Sequence, residues 1–218
     1  MVLMRAAERP ARTTYDIPGV GSLPRVTSVL NTLDKPGLLK WYADRGWDEA
    51  RRQLKEAADR GTAVHGLVEV FNRSNGENAG STSRELAPFL LAYAAWFREH
   101  VAEVVAVEQT VWSVQHGYAG QFDMALRLNG SDDVVLADLK TSKACREPHD
   151  TWRLQTSAYA IALMESAGIV CRRRIVVHLP SNRPGEIVIH ELPTGAGARA
   201  DWDAFRNLLE VFKWSQNR

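Results

Sequence analysis

Cysteine is scarce in this sequence, which has only Cys145 and Cys171 among its 218 residues. Two cysteines are too few for a disulfide framework, and they do not have the spacing of a zinc or iron–sulfur site. This scarcity argues against the class of small secreted domains that disulfides hold together. We therefore expect two reduced thiols in a protein of the cytoplasm.

Long apolar runs are also missing. No run approaches the ~20 residues that a membrane-spanning helix requires. The first residues, MVLMRAAERPARTTYD, lack the apolar region of a signal peptide. These two absences predict an intracellular protein that has no membrane partner.

The charges show no excess of either sign. Lys and Arg number 27 and Asp and Glu number 26, which gives a formal net charge of +1. Such a chain has no global attraction to nucleic acid, so a nucleic-acid site must depend on local basic patches or on bound metal ions. The hydrophobic fraction of 45% and the charged fraction of 24% are ordinary for one globular domain of this length.

The apolar periodicity predicts helices around a group of strands. We expect a loosely held arm over residues 1–15 and a short helix that Thr27 or Ser28 caps and that ends near Asp34. Further elements are predicted as helices at 36–45, 47–59, 61–73, 85–99, 151–166 (capped by Asp150) and 198–214, and as strands at 104–114, 119–128, 134–140, 170–179 and 186–192.

This order of elements predicts the α/β class, with a mixed central β-sheet flanked by helices. We interpret the chain as a single domain with a helical N-terminal extension over residues 1–57. The core would cover residues 58–192, and a C-terminal helix would lie within residues 193–218.

The stretch from Gly117 to Lys140 carries three ionisable side chains within apolar runs. Asp123 lies in GQFDMAL, and Asp138 and Lys140 end VVLADLK. The turn-rich segment NGSDD between the runs predicts a β-hairpin with a five-residue loop. Because side chains alternate along a strand, Asp138 and Lys140 share one face, and a suitable register brings Asp123 beside them. Burying such charges is costly unless they pair or bind a cation, so we predict a site here.

Two predicted helices carry polar pairs spaced four residues apart. His65 and Glu69 lie one turn apart on one helix, and Gln155 and Tyr159 lie one turn apart on another. Glu108, on the first strand of the core, is a further carboxylate. These residues are candidates for the same site.

Four short motifs occur in order along the chain, namely G-x-x-x-H at Gly61–His65, G-x-x-D at Gly120–Asp123, D-x-K at Asp138–Lys140 and Q-x-x-x-Y at Gln155–Tyr159. In this order and on these elements they resemble the PD-(D/E)XK nuclease superfamily, in particular its RecB-type branch. That branch includes phage recombination exonucleases and CRISPR-associated exonucleases. The resemblance covers about residues 58–192 and implies a restriction-endonuclease-like αβββαβ core. Iron–sulfur members need four cysteines, so we expect no cluster in this chain.

The resemblance implies a metal-dependent DNA nuclease. Asp123 and Asp138 would anchor one or two Mg²⁺ or Mn²⁺ ions, the Leu139 carbonyl would be a further ligand, and His65 would add a nitrogen ligand. Lys140 would orient the attacking water or stabilise the charge that develops on the phosphate. The implied substrate is DNA with single- or double-stranded ends, the implied context is phage or mobile-element recombination and repair, and a recombination protein is an implied partner. A phage-encoded protein would act in the cytoplasm of the host.

Several residues have alternative roles that the sequence leaves open. Gln155 and Tyr159 would contact DNA or brace Lys140, whereas a buried helix also uses tyrosine as a core residue. Glu108 would hold a second ion or support the ligands of the first. The segment Arg172-Arg173-Arg174 is a phosphate-binding patch, in which Arg172 and Arg174 contact DNA, or else a solvated strand edge.

Alternatives also exist for the whole site. Asp123 and Asp138 would otherwise form a structural ion pair with Lys140, and His65 and Glu69 would be ordinary helix residues. A structure-specific endonuclease or resolvase uses the same core as an exonuclease. A non-catalytic DNA-binding module is the remaining alternative, although it has no need of all three charged residues.

Overall fold

The computed structural model describes residues 13–33, 36–78 and 80–216. The helices are α1 (Val26–Leu30), α2 (Pro36–Arg45), α3 (Trp47–Arg73), α4 (Ala87–His100), α5 (Asp150–Ala167) and α6 (Gly195–Gln216). The strands are β1 (Thr14–Ile17), β2 (Gly21–Pro24), β3 (Val101–Ser113), β4 (Tyr118–Leu128), β5 (Val134–Lys140), β6 (Cys171–His178) and β7 (Val188–Glu191). Most of the predicted N-terminal arm, at residues 1–12, and the predicted helix end at Asp34 lie outside the described residues.

Five strands form one mixed sheet in the order β3-β4-β5-β6-β7. β3, β4 and β5 are an antiparallel meander, β5 and β6 are parallel, and β7 is antiparallel to β6. α5 provides the crossover connection that a parallel pair requires. The mixed sheet flanked by helices confirms the predicted fold class, and α4-β3-β4-β5-α5-β6 has the predicted αβββαβ order.

Helices bury both faces of the sheet. Leu139 packs in the core with Phe71 on the face covered by α3 and α4, and Leu136 packs in the core with Phe205 on the face covered by α1, α5 and α6. Successive residues of β5 therefore point to opposite faces, as the alternation of a strand requires. Asp138, two residues after Leu136, faces α5.

The N-terminal region begins with a β-hairpin that was not predicted, and the helices α1, α2 and the first part of α3 follow it up to residue 57. β1 and β2 are antiparallel, and Gly19 in their turn has a φ of 76°, which glycine adopts without a steric penalty. Arg25, directly after β2, forms a β-bridge with Ala119 of β4. Periodicity did not reveal this hairpin because its strands have four residues each and depend on contact with the main sheet.

The helices predicted at 47–59 and 61–73 form the single helix α3. Glycine within a helix costs roughly 1 kcal/mol relative to alanine, yet Gly61 does not interrupt this one. A Cβ at Gly61 would lie 3.1 Å from the Thr141 hydroxyl oxygen, so the missing side chain lets α3 approach the end of β5.

Two predicted helix caps are wrong. α1 follows Arg25 and not Thr27 or Ser28, and α5 follows His149 with Asp150 as its first residue. Neither residue before the helix makes a side-chain capping hydrogen bond. Packing of the two helices on the sheet positions them instead, and the sequence-local cap signal does not capture that contribution.

Within the described part of the chain, no helix combines the length and the apolar character needed to cross a membrane. Cys145 and Cys171 are both free thiols.

Candidate active site

β4 and β5 separate next to Asp123 and Asp138. Their ladder ends in this direction at the pair Met124 and Ala137. The carboxylate of Asp123 takes the place of a backbone acceptor, because the Leu139 N–H donates to its Oδ2 atom at 2.6 Å. The N–H and C=O groups of a residue in an extended strand point the same way, so the Leu139 carbonyl also faces this gap.

The alternation of side chains along β4 breaks at Asp123. Phe122 packs in the core beneath α5, whereas Met124 packs in the core beneath α3 and α4. Residues two apart on a regular strand share one face, so the strand turns locally. The ladder places Glu108 of β3 opposite Asp123, and Glu108 has a φ of 49°. Left-handed backbone is uncommon for a glutamate, and strain of this kind clusters at functional sites.

A chain of polar contacts connects β5 to α5. The Lys140 ammonium lies 2.7 Å from Oδ2 of Asp138 and donates to Oε1 of Gln155 at 3.0 Å. Because lysine only donates, the oxygen of Gln155 faces it and the amide nitrogen donates to the Tyr159 hydroxyl at 3.0 Å. The Tyr159 O–H is thereby left to donate to an acceptor other than Gln155.

α3 brings His65 to the same place from the opposite side. Its Nδ1 atom lies 3.4 Å from Oδ1 of Asp123, and about a third of its side chain, 31%, is exposed. The close approach at Gly61 lets this turn of α3 reach the end of β5. The glycine and the histidine of the G-x-x-x-H motif therefore act together.

Gly120 makes room for Tyr159. A Cβ at this position would lie 2.4 Å from the Tyr159 ring and 3.1 Å from Val26 of α1. The backbone of Gly120 is not left-handed, so glycine is required here for close packing and not for its φ angle. Gly120, the first residue of the G-x-x-D motif, thus leaves the space that Tyr159, the last residue of the Q-x-x-x-Y motif, occupies.

His65 and Asp123 shift each other's pKa. Burial opposes the ionisation of Asp123, but the His65 hydrogen bond and charge, the Lys140 charge and the Leu139 N–H outweigh it, so the pKa of Asp123 is lowered. Burial likewise opposes the charge on His65, but Asp123 and then Asp138 outweigh it and raise the pKa of the imidazole.

The other two carboxylates are harder to ionise. Burial raises the pKa of Asp138 to about 6, with Asp123 adding to the shift and Lys140 opposing it. Burial and the charge of Asp123 raise the pKa of Glu108 to about 7. Both shifts mean that these two carboxylates are ionised at a cost, mainly because burial removes them from water.

The arrangement suits a divalent cation. Oxygen or nitrogen atoms of His65, Glu108 and Asp123 lie within 4.8 Å of one another. Oδ2 of Asp138 is buried and, in spite of its short contact with Lys140, has no partner in hydrogen-bonding geometry. Two carboxylates and an imidazole are ligands that Mn²⁺ accepts, and Mg²⁺ accepts the carboxylates. The residues present therefore fit such an ion.

An open cleft of about 490 Å³ leads to these residues, and it is lined in part by side chains that the sequence did not single out. Tyr15 and Arg25 of the N-terminal hairpin and Gln121 of β4 belong to this group. The Arg25 guanidinium donates to the Tyr15 hydroxyl at 2.8 Å and lies over its ring, 4.3 Å from the centroid. No local pattern assigned Tyr15 or Arg25 to the site, whereas Gln121 could have been found from its place inside the G-x-x-D motif.

Arg174 is not part of an exposed basic patch, which corrects the prediction for this residue. Its side chain is only 5% exposed and lies 2.8 Å from Asp201 of α6. It also donates to the backbone carbonyls of Arg153 and Pro193. The guanidinium is committed to this buried network, so it cannot serve as a phosphate contact.

Arg172 is exposed but lies at the wrong end of the sheet. Cys171 pairs with Val134 at the start of β5, whereas Lys140 ends that strand. Six residues of strand separate these ends by about 20 Å, so Arg172 is remote from the site. Glu69 does line the cleft, where it accepts a hydrogen bond from Arg73 at 2.9 Å.

No protein-family model and no curated protein matches the chain. The chain is similar to the solved structure of SSO0001, with a TM-score of 0.42 and 16% identity, over 85% of this chain and 72% of that chain. It is also similar to a protein from Eubacterium rectale whose exonuclease designation is provisional, with a TM-score of 0.47 and 11% identity, over 70% of this chain and 67% of that chain. Function must therefore be argued from the residues of the site.

Proposed function

We propose that this protein is a metal-dependent deoxyribonuclease that hydrolyses phosphodiester bonds at the cleft beside Asp123. The observation that carries the proposal is the convergence of Asp123, Asp138 and Lys140 with His65 at the point where β4 and β5 separate. Ionised carboxylates that are buried together are costly unless they pair or bind a cation. A structural ion pair alone would not require the exposed imidazole or the cleft.

His65, Glu108 and Asp123 would hold the ion, with Asp138 and the Leu139 carbonyl facing the same gap. A bound divalent ion neutralises phosphate charge and lowers the pKa of a coordinated water. Asp123, whose pKa is lowered, stays ionised and offers its Oδ1 atom to the cleft. The Leu139 N–H fixes the orientation of this carboxylate through Oδ2.

Lys140 and α5 would act on the phosphate. Asp138 is the main group that favours the charged form of Lys140, whose pKa lies above its ordinary value despite burial. An ammonium held this way stabilises the negative charge that grows on the phosphate oxygens in the transition state. Gln155 orients Lys140, and the Tyr159 hydroxyl is placed to donate to the substrate.

The finer proposal is an exonuclease of the RecB-like PD-(D/E)XK branch that acts on DNA ends in phage or mobile-element recombination. It is supported by the four motifs and by their meeting at one place in the fold. An endonuclease of the same core is the second candidate, because the same cleft and the same residues would serve either reaction.

One set of assays tests these proposals. The purified protein is incubated with end-labelled linear duplex, single strand and closed circular DNA, each with Mg²⁺, Mn²⁺ or EDTA. Cleavage of linear DNA alone supports an exonuclease, and nicking of the circle supports an endonuclease. Asp123→Asn should abolish cleavage, whereas Asp203→Asn, at an exposed position of α6, should not. Absence of metal-dependent cleavage on all substrates would leave the DNA-binding module as the better description.

A further inference from the structure

A second group of metal-ligating side chains lies outside the candidate active site. Cys145 belongs to the connection between β5 and α5, His178 ends β6, and His190 lies on β7. His178 is the cross-strand partner of Lys140. The three residues are far apart in the sequence, so no short sequence motif predicts that they meet.

Two of the spacings between donor atoms are close to those of a tetrahedral metal centre. Nδ1 of His178 lies 3.4 Å from Nε2 of His190 and 3.8 Å from Sγ of Cys145, and all three atoms lie within 4.8 Å of one another. Around tetrahedral zinc, with bonds of about 2.0–2.1 Å to nitrogen and about 2.3 Å to sulfur, two nitrogens lie about 3.4 Å apart and nitrogen and sulfur about 3.6 Å apart. The observed spacing between Nδ1 of His178 and Sγ of Cys145 is about 0.2 Å longer than this ideal.

A hydrogen bond from the His178 ring leaves its Nδ1 atom able to bind a metal. Nε2 lies 3.1 Å from the backbone carbonyl oxygen of Ser142, which can only accept a hydrogen bond, so this nitrogen carries the proton. The proton on Nε2 leaves a lone pair on Nδ1, which faces His190 and Cys145. Histidines that bind metal usually donate their other N–H to a carbonyl or carboxylate in this way.

Burial also favours ligation. His178 and His190 are both buried, and Trp152 of α5 packs against both rings. Burial lowers the pKa of each imidazole and so favours the neutral form, which is the form that binds a metal. Cys145 is half-buried, and burial and the charge of Glu147 raise the pKa of its thiol, so a bound cation would have to stabilise the thiolate. Water or Glu147 would supply a fourth ligand.

We propose that Cys145, His178 and His190 form a structural site for a thiolate- and imidazole-preferring divalent metal of the zinc class. The ion would tie the connection between β5 and α5 to the ends of β6 and β7. That connection leads from Lys140 to the helix that carries Gln155, so the site would brace the active site without taking part in its chemistry. An oxygen-preferring ion such as Mg²⁺ would not compete for it, because a thiolate and two imidazoles are poor ligands for Mg²⁺.

Cobalt is the direct probe of this site. Reduced, metal-stripped full-length protein is titrated with Co²⁺ and followed in the near-ultraviolet. One equivalent should produce a thiolate-to-cobalt charge-transfer band, and Zn²⁺ should abolish it. Binding should release protons, because the thiol must ionise to become a ligand. Asp123→Asn should keep the band, which separates this site from the candidate active site.

Three variants decide the ligands. Cys145→Ser and His190→Gln should each lose the band and the Zn²⁺-dependent rise in melting temperature. Cys171→Ser is the matched control and should keep both, because this thiol lies at the other end of β6. A wild-type protein with no band, or a band that survives in Cys145→Ser, would overturn the proposal and indicate a hydrogen-bonded cluster without metal.

A thiol-labelling measurement does not depend on folding of the ligand variants. In Cys171→Ser the only thiol is Cys145. Ellman's reagent should modify it rapidly in the metal-free protein and much more slowly with Zn²⁺ present. Equal labelling rates with and without Zn²⁺ would also overturn the proposal.

Discussion

Lys140 offers the sharpest residue-scale test. Lys140→Met keeps most of the apolar stem and removes the nitrogen that contacts Asp138 and Gln155. Under single-turnover conditions we expect the cleavage rate to fall by about a hundred- to a thousandfold, the loss typical of one transition-state stabiliser. DNA affinity in Mg²⁺ should change much less, because the contact strengthens mainly in the transition state.

Lys55→Met is the matched control for Lys140→Met. Lys55 is exposed and pairs with Asp59 one turn away on α3, so its loss should leave the rate unchanged. If DNA affinity falls in Lys140→Met as much as the rate does, Lys140 anchors DNA electrostatically and has no separate role in the chemical step.

Glu108 gives a prediction for pH. Burial and the charge of Asp123 raise its pKa from 4.5 to about 7, so the folded protein binds this proton more tightly than the unfolded chain. The resulting stability is fully present below pH 4.5 and is lost as the pH rises towards 7. Glu108→Gln stays neutral, so in metal-free buffer it should melt at a higher temperature than wild type above pH 7.

Melting curves at several pH values test the Glu108 prediction. The advantage of Glu108→Gln should vanish near pH 4.5, where the wild-type carboxyl is protonated as well. Glu77→Gln, at an exposed loop position, should show no pH-dependent difference from wild type. An advantage of the same size at every pH would assign the effect to packing and not to ionisation.

At the scale of elements, Gly120 and Tyr159 connect β4 to α5. Gly120→Ala places a methyl group 2.4 Å from the Tyr159 ring, and overpacking of this kind costs about 1–3 kcal/mol of the free energy of unfolding. Urea denaturation of the single and double variants measures the coupling. In a Tyr159→Ala background the added cost of Gly120→Ala should be clearly smaller. Equal costs in both backgrounds would show that Tyr159 is not what requires glycine.

Elements with strong local patterns were predictable from the sequence. The alternation in VVLADLK placed Asp138 and Lys140 on one face, and the four-residue spacing of Gln155 and Tyr159 placed them together on α5. The order of the four motifs also predicted which helices and strands come together at the site. These features depend on short-range periodicity, which the sequence records directly.

Features that depend on contacts between distant segments were not predictable. The β1–β2 hairpin, which adds Tyr15 to the cleft, is held against β4, and the left-handed backbone of Glu108 lies opposite Asp123, next to the point where β4 and β5 separate. Arg174 does not form the expected exposed patch because it pairs with Asp201 of α6, which lies 27 residues further along the chain. Side-chain partners at such separations leave no local pattern.

At the scale of the whole molecule, Asp201 fixes α6 to the sheet. Its two oxygens lie 2.7 Å from Arg153 and 2.8 Å from Arg174, and both Asp201 and Arg174 are almost fully buried. Asp201→Asn leaves buried guanidinium charge without a counterion, so the free energy of unfolding should fall by roughly 3–5 kcal/mol. Denaturant unfolding measures this loss.

Asp203→Asn provides the comparison for Asp201→Asn. Asp203 is exposed and pairs with Arg206 within α6, so its loss should stay within about 0.5 kcal/mol. Cleavage per folded molecule should be unchanged in Asp201→Asn. A stability close to that of wild type would mean that the buried network adds nothing to the fold.

The sheet topology has a consequence for the order of folding. β4 and β5 are joined by residues 129–133, whereas β5 and β6 are separated by residues 141–170, which include α5. Closing the longer connection costs more chain entropy, and parallel pairing forms slowly. The strands that carry Asp123 and Asp138 should therefore pair before α5 arrives with Gln155. Pulse-labelling hydrogen exchange should find amides of β4 protected earlier than those of β6. In an early collapsed chain, the carboxylates of Asp123 and Asp138 would then lie side by side before α5 covers them.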